Sequence, residues 1–169
     1  MKKGIFLVLL IFLLACGICF AEGFDLGASG LFFMTGEENV HIFGVNIAGS
    51  MFFNDFFGIG IYGNIYILGK GSVALPFDFL AGSAIKIVNT DKFALPVALG
   101  FYMFNIFGVT STEFGGIIPA YYFDLGPGAN ISAEIKFFDF LHLYLRLQGA
   151  YMFLNGGGLV LSPSIGIGF

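Results

Sequence analysis

The sequence predicts an all-β chain folded as an eight-stranded antiparallel up-and-down β-barrel that crosses a membrane. Three observations carry this reading. Of the 169 residues, 57% are apolar, and mean hydropathy is +0.92. That is well above the range of soluble domains, so lipid is the expected solvent. Beyond the N-terminal segment there is no clean run of about 20 apolar residues, the length a spanning helix needs. The nearest, Phe93 to Val109, is broken by Pro96, Gly100, Asn105 and Gly108. In lipid every backbone polar group needs an internal partner, and a chain without spanning helices meets that demand by closing a sheet. The third observation is the final stretch. Leu159, Leu161, Pro163, Ile165, Ile167 and Phe169 share one parity, and Val160, Ser162, Ser164, Gly166 and Gly168 share the other. This is a strand with one greasy face and one nearly bare, running to an aromatic end.

The chain opens with an export leader. Lys2 and Lys3 precede an apolar run from Ile5 to Ala15, and Cys19-Phe20-Ala21 places small residues where a signal peptidase inspects them. Cleavage after Ala21 divides the chain into a signal peptide, residues 1–21, and a barrel domain, residues 22–169. Two rival readings are a spanning helix, for which the run is short, and a lipoprotein. Leu13-Leu14-Ala15-Cys16 resembles a lipobox, which would make an acylated Cys16 the mature N-terminus. Both cysteines lie in this segment, so cleavage after Ala21 leaves no disulfide, thiolate ligand or Cys nucleophile. Loss of Lys2 and Lys3 leaves five Lys plus Arg against eleven Asp plus Glu, a formal charge near −6. A nucleic-acid surface requires the opposite balance.

Eight alternating segments follow, at about 24–34, 41–53, 56–68, 77–88, 93–104, 118–137, 141–153 and 158–169. Each supplies the roughly nine to eleven residues of a tilted spanning strand. From the second strand onward odd positions are apolar, as in Phe43, Val45 and Ile47, then Ile59, Ile61 and Ile65, then Phe79 and Ile85. Leu95, Val97, Leu99 and Phe101 continue the pattern, then Phe123, Ile131 and Ile135, then Leu143, Leu145 and Leu147. Even positions carry Asn46, Tyr62, Asn64, Asp78, Lys86, Asp124, Asn130, Glu134, Lys136, His142, Arg146 and Gln148, diluted by glycines. No strand needs a charge on its greasy face, where Lys or Arg at mid-bilayer costs about 2–4 kcal/mol. A soluble surface would be about a quarter to a third charged. A face this dilute reads as the inside of a narrow barrel. Aromatic clusters at the segment ends, Phe32-Phe33, Phe52-Phe53, Tyr121-Tyr122-Phe123 and Phe137-Phe138 among them, fit two interfacial girdles.

The connections alternate in length. Residues 35–40, 69–76, 105–117 and 154–157 form a longer set, while 54–55, 89–92 and 138–140 form a shorter one. Short turns are periplasmic in such barrels, and an even strand count puts both termini on that side. Phe169 should therefore face lipid at the periplasmic end, with its strand closing against the first near Phe24.

The signal segment, the strand alternation and the terminal Phe169 together resemble the small eight-stranded outer-membrane β-barrel proteins of bacteria, over about residues 24–169. The resemblance implies export to the outer membrane, contact with outer-membrane lipid, and recognition of the last strand, ending in Phe169, by the barrel-assembly machinery. Pro163 departs from the pattern by removing a ladder hydrogen bond, and Ser164 stands where the family's signal often has Gly.

Asp78, Lys86, Asp124, Glu134, Lys136, His142 and Arg146 are the candidate site residues, a polar network inside the lumen. Pairing about the turn near Asp139 sets position 136 beside 142 and 134 beside 144, so Glu134 reaches Arg146 diagonally. Unpaired charges in a narrow lumen are costly, so these groups should pair. The predicted function is a structural or surface-interaction barrel with a largely closed lumen, the alternative being a narrow channel for ions or small solutes. No enzyme is expected: His41 with Glu37, Glu38 or Ser72 matches no spacing motif. Two histidines without Cys give no metal site, and neither Gly156-Gly157-Gly158 nor Gly69-Lys70-Gly71-Ser72 has the spacing of a phosphate loop. No cofactor is expected, and a surface ligand would meet the outer loops.

Overall fold

The computed structural model describes residues 23–34, 39–67, 74–111, 117–138, 140–154 and 158–169. Both leader-processing alternatives, at Cys16 and after Ala21, lie outside the described residues, as do Asp139 and the loop tips at 35–38, 68–73, 112–116 and 155–157. Eight strands follow in order: β1 (Gly23–Met34), β2 (Asn39–Phe52), β3 (Phe57–Ile67), β4 (Ala74–Asn89), β5 (Phe93–Ser111), β6 (Ile117–Phe138), β7 (Leu141–Met152) and β8 (Gly158–Gly168). Each pairs antiparallel with the next, and β8 pairs with β1, so the sheet closes on itself. Among the described residues no helix is long and apolar enough to cross a membrane. Closure falls at the last residue: Phe24 N donates to Phe169 O at 2.9 Å, and Phe169 N donates to Phe24 O at 2.8 Å.

The alternation sorts side chains between an apolar exterior and a mixed interior. Phe43 is 81% and Phe101 72% exposed, with Leu99, Ile61, Leu145 and Ile165 on the same outer wall. An exposed apolar surface of this extent has no place on a soluble monomer. Inside, buried Tyr62, Tyr66, Tyr102, Tyr144, Leu80, Met152 and Val160 fill the lumen. At the short-turn end Phe138 and Phe140 stack at 5.6 Å. Toward the loop end Phe77, Phe107 and Tyr121 form a ladder, with centroids 5.6 Å and 4.7 Å apart. Aromatic rings thus stand near both ends of the wall, as interfacial girdles do.

One expectation is corrected, and the faces of β1 are now assigned. The loop expected at residues 105–117 is mostly strand: β5 continues to Ser111, paired with Ile117 of β6. The residues there, Ile106, Phe107, Val109 and Thr110, are good strand formers, and a partner is available along the whole length of β6. Parity also inverts in β1. Asp25, Ser29 and Leu31 are buried, while Leu26, Phe32 and Met34 are exposed, because β1 pairs its odd residues with inward-facing even residues of β2, such as Asp25 with Ala48.

Each of three prolines interrupts the ladder on one side only. Pro163 stays in register with Leu147 of β7, but pairing to β1 skips from Ser29–Ser164 to Phe32–Leu161. Pro96 pairs with Lys86 of β4, and the β5–β6 ladder skips from Ala94–Glu134 to Val97–Ile131. Pro127 pairs with Phe101, and the β6–β7 ladder begins only at Gly128. A residue without an N–H loses the bond toward one neighbour and keeps the other strand in place. The short turns are stitched locally: Asn54 Oδ1 accepts from Phe56 N at 2.9 Å and Phe57 N at 2.8 Å, an Asx turn, and Thr90 N donates to Phe93 O at 2.8 Å.

Candidate functional site

The lumen holds two polar clusters joined through a pair of asparagines. The first lies toward the short-turn end and centres on Arg146 of β7, which is 2% exposed. Its Nη2 donates to Asp25 Oδ2 of β1, its Nη1 to Asn46 Oδ1 of β2 at 2.9 Å, and its Nε to Ser132 Oγ of β6 at 2.7 Å. The guanidinium also lies 4.4 Å from the Tyr144 ring centroid and 4.8 Å from that of Tyr62. One side chain thereby ties four strands across the barrel, with its fork satisfied and its flat faces covered. Asp25 Oδ1 meets His142 Nε2 at 2.9 Å.

The second cluster centres on Asp78 of β4, also 2% exposed. Its carboxylate accepts from the Tyr66 hydroxyl, from Tyr102 Oη at 2.6 Å, from Asn64 Nδ2 at 2.7 Å, and more loosely from Gln148 Nε2 at 3.2 Å and Ser162 Oγ at 3.4 Å. No cation contacts it among the described residues, so the expectation of an ion pair is corrected here. Neutral donors converging from β3, β5, β7 and β8 do the work instead, since a carboxylate is stabilised by the hydrogen bonds it accepts as well as by opposite charge. Asn46 Nδ2 donates to Asn64 Oδ1 at 2.9 Å, while Asn46 Oδ1 takes bonds from Arg146 and from Tyr144 Oη, the latter at 2.9 Å. A hydrogen-bonded chain thus runs from Asp25 through Arg146, Asn46 and Asn64 to Asp78.

The structure does not assemble all seven predicted residues into one network. Asp78, His142 and Arg146 belong to the two clusters. Glu134 faces Asp25 and His142, with one carboxylate oxygen within 4.8 Å of a ligating atom of each, but Arg146 bonds Asp25, Asn46 and Ser132, so the expected Glu134–Arg146 contact is corrected. The register itself, Lys136 opposite His142 and Glu134 opposite Tyr144, is as expected. Lys136 leaves the lumen: Nζ donates to Asn89 Oδ1 at 2.8 Å and Thr90 O at 3.0 Å, fastening the neighbouring short turn. Lys86 Nζ lies 3.9 Å over the Phe52 ring. Asp124 sits at the loop end, where Oδ1 accepts from Leu125 N at 2.8 Å and Leu154 N at 3.0 Å, and Oδ2 accepts from Tyr122 Oη at 3.0 Å. Its role there is to hold the start of the β7–β8 loop. Glu37, Glu38 and Ser72, weighed beside His41, lie outside the described residues.

Sequence reading missed Asp25 because parity was followed only from the second strand. The signal was present: Asp25, Gly27, Ser29 alternate with Leu26, Ala28 and then Phe32. It also passed over Tyr66, Tyr102 and Tyr144, which alternation places inside but does not identify as bonding partners. Among the described residues the polar fill is incomplete at Ser29 Oγ of β1 and at one facing pair on β6 and β7. Asn130 Nδ2 and Oδ1 and Gln148 Oε1 are buried without a partner, and the two residues sit directly opposite each other on β6 and β7. Matched polar groups of this kind are a place for ordered water.

No family model matches the sequence, and no curated protein matches it. Similar solved structures exist. Ail, the attachment invasion locus protein of Yersinia pestis, in complex with the heparin analogue sucrose octasulfate, aligns over 87% of this chain and 97% of its own, with a TM-score of 0.60 and 12% identity. Neisserial surface protein A aligns over 86% and 94%, with a TM-score of 0.61 and 11% identity. The N-terminal β-barrel domain of Pseudomonas aeruginosa OprF aligns over 88% and 98%, with a TM-score of 0.52 and 14% identity. At these identities the likeness concerns the fold alone, and the fold is that of the small eight-stranded bacterial outer-membrane barrels.

Proposed function

Taking that fold as the premise, we propose that the chain is an integral outer-membrane protein with a structural or surface-interaction role and a closed lumen. One observation carries the closed lumen: Tyr66, Tyr102, Tyr144, Leu80 and Met152 are all fully buried inside the barrel, packed around the chain of hydrogen bonds from Asp25 to Asp78. Eight strands enclose a space that side chains fill, and here they are large and mutually bonded. Export, outer-membrane location and assembly through recognition of Phe169 are parts of the same reading. The lipid-facing wall and the two aromatic ends support the location. Work at the surface would fall to the loop end, where β5 and β6 run as a paired ribbon to Ser111 and Ile117. Two proteins of similar structure, an attachment invasion locus protein and a surface protein by name, agree in kind with that role. No catalytic role is proposed for any residue.

Planar-bilayer recording of the refolded protein tests the closed lumen. Wild type should show no stable conductance, and truncating Tyr66 and Tyr102 together to alanine should produce one. Discrete, long-lived openings in wild type would replace this reading with the narrow-conduit one. Membrane residence is tested by fractionation: recovery in the outer membrane with heat-modifiable gel mobility is expected, and extraction by detergent-free buffer would end it.

A further inference from the structure

At the short-turn end, Asp25 of β1, Glu134 of β6 and His142 of β7 turn their ligating atoms toward one another, all within 4.8 Å. The barrel's register brings them together. Gly168 of β8 lies opposite Asp25 on one side and opposite His142 on the other. A Cβ at that glycine would stand 2.1 Å from His142 Nε2 and 2.2 Å from Asp25 Oδ1. Only a bare backbone there lets the imidazole and the carboxylate meet across β8. They meet at 2.9 Å, a hydrogen-bond distance, and two ligands each ~2.1 Å from one tetrahedral ion stand about 3.4 Å apart, so a shift of about half an ångström admits an ion between them.

Of the two carboxylates, Asp25 is directly paired, with His142 and Arg146, and Glu134 is not. Arg146 is engaged with Asp25 Oδ2, Asn46 and Ser132, so it orients the Asp25 carboxylate and leaves Oδ1 turned to His142. A bond of this sort from outside the ligand set is what fixes a metal-binding carboxylate. Glu134 makes no hydrogen bond or ion pair among the described residues. Arg146 and His142 both serve Asp25, whereas Glu134 feels His142, Arg146 and Lys86 only at a distance. Asp25 and His142 are only partly screened, with side chains 11% and 17% exposed, at the mouth rather than in the sealed middle of the lumen.

We infer that Asp25, Glu134 and His142 form a mononuclear site for a divalent first-row transition cation of the zinc type, reached from the aqueous side at the short-turn end. One imidazole nitrogen and two carboxylates suit such an ion, whereas calcium and magnesium favour oxygen-only sets. Binding puts the ion in place of the proton on His142 Nε2: from an imidazolium that proton leaves to solvent while Nδ1 keeps its own, from a neutral imidazole it moves to Nδ1 with no net release, and water completes the coordination. No bond between heavy atoms of the protein is made or broken and no redox change is required. The site rests on the barrel fold and is independent of whether the lumen conducts.

Titration of the detergent-refolded protein with zinc alone, followed by calorimetry, should give one ion per chain. Cobalt should give visible ligand-field absorption with a nitrogen and oxygen donor signature. His142→Ala and Glu134→Gln should each weaken zinc by more than about tenfold, while His41→Ala, which removes the other histidine, should leave it unchanged. Each variant is first checked for heat-modifiable mobility, and where His142→Ala does not fold, His142→Gln takes its place. Absence of stoichiometric zinc binding by folded wild type would overturn the site. So would undiminished binding in both folded ligand variants, or loss of binding in His41→Ala.

Discussion

Replacing Arg146 by methionine tests the idea that a buried cation braces this barrel. The substitution keeps an unbranched chain of similar reach, so the change is mainly one of charge and hydrogen bonding. It removes the bonds to Asp25, Asn46 and Ser132 and the contacts at 4.4 Å and 4.8 Å to two tyrosine rings. What remains is Asp25 without its guanidinium in the lumen wall. Removing one partner of a buried pair typically costs about 3–5 kcal/mol, chiefly through the charge left behind. Converting Asp25 to asparagine in the same molecule removes that charge, so Arg146→Met/Asp25→Asn should lose about 2 kcal/mol less than the two single losses added together. The chain has no tryptophan, so reversible urea unfolding from lipid vesicles would be followed by far-ultraviolet circular dichroism and tyrosine emission. An Arg146→Met protein within about 1 kcal/mol of wild type would refute the bracing role, as would a double variant equal to the sum of its singles within about 0.5 kcal/mol.

Three further outcomes are expected. Leu99→Arg places a charge on the outer wall at a position 63% exposed and should cost about 2–4 kcal/mol in vesicles if that wall meets mid-bilayer lipid; equal stability in vesicles would contradict a lipid-facing β5. At Gly27 a Cβ would come within 2.3 Å of both Ile165 O and Tyr144 Oη, so Gly27→Val should destabilise by at least ~1–3 kcal/mol and reduce the folded band on an unheated gel, and a normal folded fraction would contradict that close approach. Deleting Phe169 should lower the amount of barrel assembled in cells while leaving refolding in detergent nearly intact; an equal deficit in both would make Phe169 a stability residue and not a recognition signal.

Much of the wall was legible in the sequence because a strand's side chains alternate with period two and lipid tolerates only one kind of face. Leu143, Leu145 and Leu147 could only point out if His142, Arg146 and Gln148 pointed in, and the structure has them so. The same rule, continued from Phe169, located the closure against Phe24. It failed at Asn105–Ser111, where alternation does not separate apolar from polar residues: Asn105 and Phe107 share one parity, and Ile106 and Thr110 share the other, so the pattern itself carries no inside-outside signal although the stretch pairs as strand.

The interior was legible only as a list of inward residues. Which of them bond is decided across strands far apart in the chain, by register and by barrel diameter. Lys136 and Arg146 have the same inward parity. One is at the rim within reach of Asn89 and Thr90, while the other lies deep enough to reach Asp25, 121 positions away. Periodicity therefore determined the strands, their faces and the position of the seam, since these depend on the local geometry of each segment and on its solvent. Tertiary structure alone decided that Asp78 is held by tyrosine and amide donors, that Asp25 takes Arg146 from Glu134, and that Gly168 allows Asp25 and His142 to meet, because those contacts exist only once the sheet has closed.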